Sequence, residues 1–165
     1  MPTRPPVSDH TLDLTVDPAT AIAAFFDPGA LAEWWHAVRS VTTPQVLGVY
    51  AIEWAPTPHR DELFGPLGGV LHGMVMDYRP GRGFLVAEAY WLPPEGDPVG
   101  PMAVHVECTV LNGATKLRVL QTGGDNSPRW TRYYELMSQG WTGSLAALKT
   151  YLDTRKPSST PTAAA

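Results

Sequence analysis

Residues 130–153 read WTRYYELMSQGWTGSLAALKTYLD, and the fold turns on what this segment needs from the rest of the chain. Trp130, Tyr134, Met137, Trp141, Leu145, Leu148 and Leu152 recur at spacings of three and four, which predicts one long amphipathic helix. Ser127-Pro128 supplies its cap and its first helical position. Gly140 lies inside the helix, where glycine costs about 1 kcal/mol relative to alanine. The expected compensation is close approach to another backbone, or space beside Trp141. A helix with one aromatic-rich stripe must lie against a broad apolar surface.

That surface lies upstream. Residues 102–122 centre on Asn112-Gly113, the dipeptide best suited to a two-residue hairpin turn. Pairing Leu111 with Ala114 sets Glu107 opposite Arg118 and Thr109 opposite Lys116 on a polar outer face. Cys108 then faces Leu117, Val106 faces Val119, and Val104 faces Gln121 on an apolar inner face, with Gln121 its polar exception. Residues 48–54 alternate, with Tyr50, Ile52 and Trp54 on one side. Segments 69–78 and 83–91 flank the turn Arg79-Pro80-Gly81-Arg82. Two proline-rich loops, 55–68 and 92–101, separate these strands.

Before the strands, Asp17-Pro18 and Asp27-Pro28 each place a capping acceptor ahead of a proline at the first helical position. They predict short helices over 18–26 and 28–35, and 11–16 reads as a strand. The order is therefore strand, two short helices, a run of antiparallel strands, one long helix. The expected architecture is α+β, a curved antiparallel sheet wrapped around the C-terminal helix. A single domain is expected over 9–154, with 1–8 extended or disordered and 155–165 a disordered tail rich in Pro, Ser, Thr and Ala.

This order and four stretches resemble the START-like helix-grip superfamily, which includes the birch pollen allergen. They are DPGALAEWW (27–35), GVYAIEW (48–54), GGVLHGMVMDYRP (68–80) and GWTGSLAALKTYL (140–152). Within it, the chain looks most like the bacterial relatives of the activator of heat-shock protein 90 ATPase. Where those relatives often carry a tryptophan strand, this chain reads FLVAEAYW, with Glu88 at or near the tryptophan position. The resemblance implies an apolar cavity between sheet and helix, used across the superfamily for lipids, hormones or polyketides. Aromatic residues and flexible methionines that would project toward it are Tyr50, Trp54, Met74, Met76, Tyr134, Met137 and Trp141. His72 shares the strand face of Met74 and Met76 at the expected mouth. Core filling accounts for the same residues.

Two readings of Glu88 stay open. With Phe84, Val86 and Tyr90 inward, its carboxylate enters the cavity as an anchor or an acid/base; with Leu85, Ala87, Ala89 and Trp91 inward, it is solvated. Gln121 offers an amide to a ligand or serves as a satisfied core amide. His105 and Glu107 share a strand face, but no third residue has metal-ligand spacing, so no metal and no cofactor are expected. Cys108 reads as an inert buried thiol. Phosphate-cradling loops, nucleophile elbows and metalloprotease motifs are missing.

In AEWWHA (32–37), Trp34 continues the apolar stripe of its helix from Leu31 and should fix it to the core. Trp35, rotated by about 100°, is the candidate to line the cavity entrance, and His36 reads as a helix-end residue.

Among 165 residues, 44% are hydrophobic and 17% charged, with a formal net charge of −4. That balance argues against a nucleic-acid or anionic-membrane partner, and no stretch approaches a membrane span. A cytoplasmic protein is the expectation. Three functions compete. The first is binding or carriage of a small apolar, lipid-like or aromatic molecule without catalysis. The second is a polyketide cyclase or hydratase using Glu88 with Tyr90 or His72. The third is a protein-interaction module, which would show an exposed apolar patch on the sheet or in the 55–68 loop.

Overall fold

A computed structural model describes residues 7–155. Strand β1 (Val7–Leu14) leads into α1 (Pro18–Ala23) and α2 (Pro28–Trp34). Then come β2 (Arg39–Thr42), β3 (Val49–Trp54), the two-residue strands β4 (Arg60–Asp61) and β5 (Gly65–Pro66), and β6 (Gly69–Arg79). Strands β7 (Gly83–Leu92), β8 (Val99–Leu111) and β9 (Ala114–Thr122) follow, and α3 (Pro128–Thr154) is the last element among the described residues. Seven strands form one antiparallel sheet in the order β1-β9-β8-β7-β6-β3-β2, while β4 and β5 pair by themselves. β1 begins two residues before the expected start of the domain. Residues 1–6 and 156–165, expected to be disordered, lie outside the described residues.

Every predicted pair of the Asn112-Gly113 hairpin forms, from Leu111 with Ala114 to Val104 with Gln121. Asn112 and Gly113 both take positive φ, the conformation this turn requires. One detail is added. Arg118, opposite Glu107 as expected, donates to both carboxylate oxygens of Asp9 on β1, at 2.9 and 2.7 Å, a bidentate pair across β9 and β1.

Helix α3, about 40 Å long for its 27 residues, lies on the inner face of this sheet. Tyr133, Tyr134, Trp141, Leu145, Leu148 and Leu152 are buried there, in one core with the inner-face strand residues and the short helices. Ser127 caps α3 and Asp27 caps α2, its carboxylate accepting from Ala30 N at 2.8 Å. Asp17 does not cap α1 through its side chain, which instead accepts from the Thr20 hydroxyl.

The sheet's middle departs from simple alternation. β7 carries an extra residue between its pairings Val86 with Val104 and Ala89 with Met102, and Glu88 sits there with φ +51°. This is a β-bulge, and it reverses the strand's facing partway along. β6 is likewise irregular between Val75 and Asp77.

The 55–68 loop is strapped to the helix. The Asp61 carboxylate is buried and accepts from Arg132 Nε and Nη2 at 2.8 and 2.6 Å, and from the backbone N–H of Leu63 and Phe64. Phe64 tucks edge-on against Trp91, with the Arg129 guanidinium over its ring.

Candidate functional site

Between sheet and helix lies a cavity of about 10 Å³, bordered by no polar atom. Its floor is the inner face of the sheet: Tyr50 of β3, Leu71 of β6, Phe84 and Val86 of β7, Val104 and Val106 of β8. Phe25, just after α1, and Trp35 and Trp141 close it from the helical side. A void of this size is at the lower limit for one water molecule, and an apolar one stays dry. The apolar cavity expected between sheet and helix is thus largely filled by its own lining side chains.

The two adjacent tryptophans have different surroundings. Trp34 is buried, and its indole N–H donates to the Ala24 carbonyl at 2.8 Å, which locks α2 against the end of α1. Trp35, at the C-cap of α2, stacks on Trp34 at 4.8 Å between ring centres and meets both Trp54 and Trp141 at 5.2 Å. Its ring is half-buried and its N–H bonds no described residue. No buried side-chain nitrogen or oxygen among the described residues lacks a partner, so that N–H is not fully buried. His36 follows in left-handed backbone, φ +59°, and Ala37 N bonds back to the Leu31 carbonyl, so the chain turns away immediately after the ring. Trp35 is therefore the least anchored wall of the void.

The opposite wall is fixed. Trp141 donates its indole N–H to Gln121 Oε1 at 2.8 Å. The same amide donates through Nε2 to the Tyr133 hydroxyl at 2.8 Å and reaches Met102 Sδ at 2.8 Å. Gln121 is a satisfied core amide here, with both ends engaged. The Tyr50 hydroxyl donates to the Phe25 carbonyl at 2.9 Å. Burial pushes the Tyr50 and Tyr133 phenols far above their ordinary range, and Tyr134 up to about 12. These tyrosines are neutral hydrogen-bonding groups across the physiological range.

Of the eleven residues singled out in the sequence, Trp35, Tyr50 and Trp141 come together on the void. Trp54 stands behind Trp35, its N–H donating to the Trp35 carbonyl at 2.8 Å, and Gln121 holds Trp141. Tyr134 bonds the Gly123 carbonyl, and Met137 packs on the core away from the void. His72, Met74 and Met76 require correction: they lie on the outer, solvent face of β6, because Leu71, Gly73 and Val75 are its buried phase. Glu88 is exposed as well.

Each of the two expected phases of β7 holds on one side of the bulge only, with Phe84 and Val86 inward before it and Ala89 and Trp91 inward after it. Among the lining residues that were not singled out, Phe84, Val86, Val104 and Val106 stood on strand faces already considered. Leu71 needed the other phase of β6. Phe25, in the turn after α1, had no periodic signal.

Cys108 is buried, and desolvation pushes its thiol up to about 12, as an inert thiol requires. His105 Nε2 stands 3.8 Å from Glu107 Oε1, and the described residues contain no group of three metal-ligating side chains. No helix among them is long and apolar enough to cross a membrane.

No family model and no curated relative matches this sequence. Solved structures do. One from Mesorhizobium loti is 21% identical over 92% of this chain and 99% of that one, with a TM-score of 0.69. The fold is the helix-grip fold. The solution structure of the Aha1 dimer from Colwellia psychrerythraea shares it at a TM-score of 0.59, with 14% identity over 89% of this chain and 96% of that one. So does DynU16, a protein of the dynemicin biosynthetic locus, with a TM-score of 0.63 and 18% identity over 92% of this chain and 48% of that one. The helix-grip architecture is consistent with holding a small ligand between sheet and helix.

Proposed function

We propose that this protein binds a small, flat apolar molecule, of the bulk of one or two fused rings, in the space that Trp35 now closes. The observation that supports it is the asymmetry of the void's walls. The Trp141 and Tyr50 side chains are buried and held by hydrogen bonds, whereas the Trp35 ring is half-buried and held by ring contacts with no hydrogen bond from its indole N–H to a described residue. An outward turn of Trp35 joins the volume of an indole to a void walled by Phe25, Phe84 and Trp141. A flat guest then replaces the ring contacts, each worth about 0.5–1.5 kcal/mol. The apolar lining gives such a guest shape and dispersion, with no charge to recognise. Long lipid chains do not suit this site, since they need far more space than one side chain releases.

Catalysis in the cavity through Glu88 has no support, because that carboxylate is on the opposite face of the sheet. A carrier or sensor of a small aromatic compound is the reading the geometry favours.

Naphthalene, indole and a C16 fatty acid serve as probes, followed by thermal unfolding and by ¹⁹F spectra of 5-fluorotryptophan-labelled protein. The ring compounds should raise Tm by several degrees near saturation, as expected when ligand at 100 times Kd adds about 2.7 kcal/mol. They should shift the Trp35 resonance, with that of its stacking partner Trp34, and leave Trp130, which packs on Tyr133 and Tyr134, in place, and the fatty acid should shift none of them. If no ring compound moves either Tm or the Trp35 resonance, the reading is wrong.

A further inference from the structure

Trp35 is pinned at its backbone and free at its ring. Its N–H bonds the Leu31 carbonyl at 3.2 Å, its carbonyl accepts from the Trp54 indole at 2.8 Å, and His36 turns the chain away at φ +59°. Movement at this residue is therefore rotation of the side chain between staggered rotamers. Trp34 stacks on the ring, and Trp54 and Trp141 stand 5.2 Å from it between ring centres, so an outgoing indole needs a place without a side chain. Helix α3 offers one. Gly140 precedes Trp141 and is turned about 100° from it. It shares a flank with Tyr133, Ser144 and Tyr151, which lie about two turns before, one turn after and three turns after. That flank faces away from β1: Tyr133 packs on Trp91, and Arg155, whose guanidinium lies over Tyr151, pairs with Glu33 of α2. The other flank belongs to β1 and the residue after it, through Lys149 to the Asp13 carbonyl and Thr15 to Asp153. Gly140 thus looks toward the end of α2, where Trp35 is the C-cap. Leu136, Ser144 and Ala147 on this flank are half-buried, whereas Gly140 is exposed and a methyl group there would meet no atom within 4 Å.

Resting on the reading that Trp35 closes the binding space, we propose that Gly140 is the seat of the open form. Trp35 swings about its Cα–Cβ bond and lays its indole over the bare helix backbone there, so the residue at position 140 decides whether a ring-shaped guest is admitted. Gly140 does not line the void, and no contact in the closed form explains it. Inside a helix, glycine costs stability, and here no close neighbour offsets that cost. The missing Cβ is what lets a flat ring approach the helix backbone closely. A guest takes the place of the Trp35 ring, so that ring must stay out for as long as the guest stays bound. Filling the seat therefore weakens binding in proportion to the lost open fraction, without any contact with the guest. Gly143 has no such part: it is turned about 200° from Trp141 and is exposed on the far side of the helix.

The Trp35 resonance of the 5-fluorotryptophan-labelled full chain, identified by its loss in Trp35→Phe, tests this with and without naphthalene. In the ligand-free wild type, ¹⁹F relaxation dispersion should show Trp35 exchanging with a minor conformer. Gly140→Leu should abolish that exchange and raise the Kd for naphthalene by about tenfold or more. Gly140→Ala, with nearly the same gain in helix propensity but a single added carbon, should fall between the two. Gly143→Leu should match the wild type in both measurements. A graded loss at 140 beside none at 143 separates a filled seat from a stiffened helix. Unchanged exchange and unchanged Kd in Gly140→Leu overturn the proposal, and so does an equal loss in Gly143→Leu. If no ring compound binds the wild type while Trp35 exchange still depends on position 140, the seat stands and the binding reading falls.

Discussion

Trp141 donates its indole N–H to Gln121 Oε1 at 2.8 Å, and this one bond joins the middle of the long helix to the inner face of the last strand. The amide's other end holds Tyr133, eight residues earlier on the same helix. A single glutamine therefore sets the rotation of α3 over the sheet and presents the flat face of Trp141 to the void. Replacing it by leucine orphans the buried Trp141 N–H and removes the donor to the Tyr133 hydroxyl, which keeps its own bond to Met102 Sδ. An orphaned donor costs about 1–3 kcal/mol, so Gln121→Leu should lose roughly 1–3 kcal/mol of stability in urea unfolding. Trp141 fluorescence should broaden or shift as the ring loses its anchor. A loss below 0.5 kcal/mol would mean the helix is oriented by packing alone.

Acid should loosen the strap over the helix. At Asp61, burial works to raise the carboxyl pKa. The hydrogen bonds from Arg132, Leu63 and Phe64, with the Arg132 charge, outweigh it and hold the group below its ordinary value. A carboxyl depressed on folding contributes stability above its unfolded value, near 3.9, and loses it as pH falls through the lower folded value. Arg132 is more than a third exposed, so screening reduces its share of the pair. Asp61→Asn, which keeps an acceptor for the backbone N–H groups, should cost about 1–2 kcal/mol at pH 7. The difference from wild type should shrink below pH 4 and vanish once Asp61 is protonated. Thermal unfolding of both proteins from pH 7 to pH 2.5 measures it, and a gap independent of pH would assign the cost to shape instead.

The parts of the fold that were legible in the sequence are those pinned by local chemistry. Asn112-Gly113 admits one two-residue turn, and that turn dictates the pairing of eighteen residues on β8 and β9. The stripe from Trp130 to Leu152 is long enough for its period to be unambiguous. The facing of β6 and β7 was not legible, because a bulge shifts phase without changing composition, and the residue at the bulge is a glutamate instead of the usual glycine. Met74 and Met76 were placed inward for their chemistry, while the smaller Gly73 and the β-branched Val75 hold the buried phase. The size of the cavity depends on ring rotamers of residues far apart in sequence, such as Phe25, Trp35 and Trp141, and no local pattern encodes it.

Glu88 offers a test of the bulge itself. Its side chain is exposed and its φ is +51°, a region glycine enters freely and β-branched residues enter at high cost. Glu88→Gly should be neutral or stabilising by up to about 1 kcal/mol, and Glu88→Val should be destabilising by about 1–2 kcal/mol. Glu88→Gln should change neither stability nor binding of the ring probes. Were valine tolerated as well as glycine, the left-handed backbone at this position would be in doubt.

The last prediction concerns Gly140, whose cost inside α3 is expected to be offset by close approach to another backbone or by space beside Trp141. The structure shows no close approach. A methyl group added there meets no atom within 4 Å, the residue is exposed, and Gly143 one turn later is equally open. Both have ordinary helical backbone, so alanine gains helix propensity without a clash. Gly140→Ala and Gly143→Ala should each raise stability by about 0.5–1 kcal/mol, and the pair should be close to additive if each acts through the chain's own backbone freedom. Chemical denaturation of the single and double variants measures this. The two glycines lie on either side of Trp141, so a fall in stability on filling either position would mean that α3 bends or moves there, and that its solvent side serves a purpose the closed form does not display.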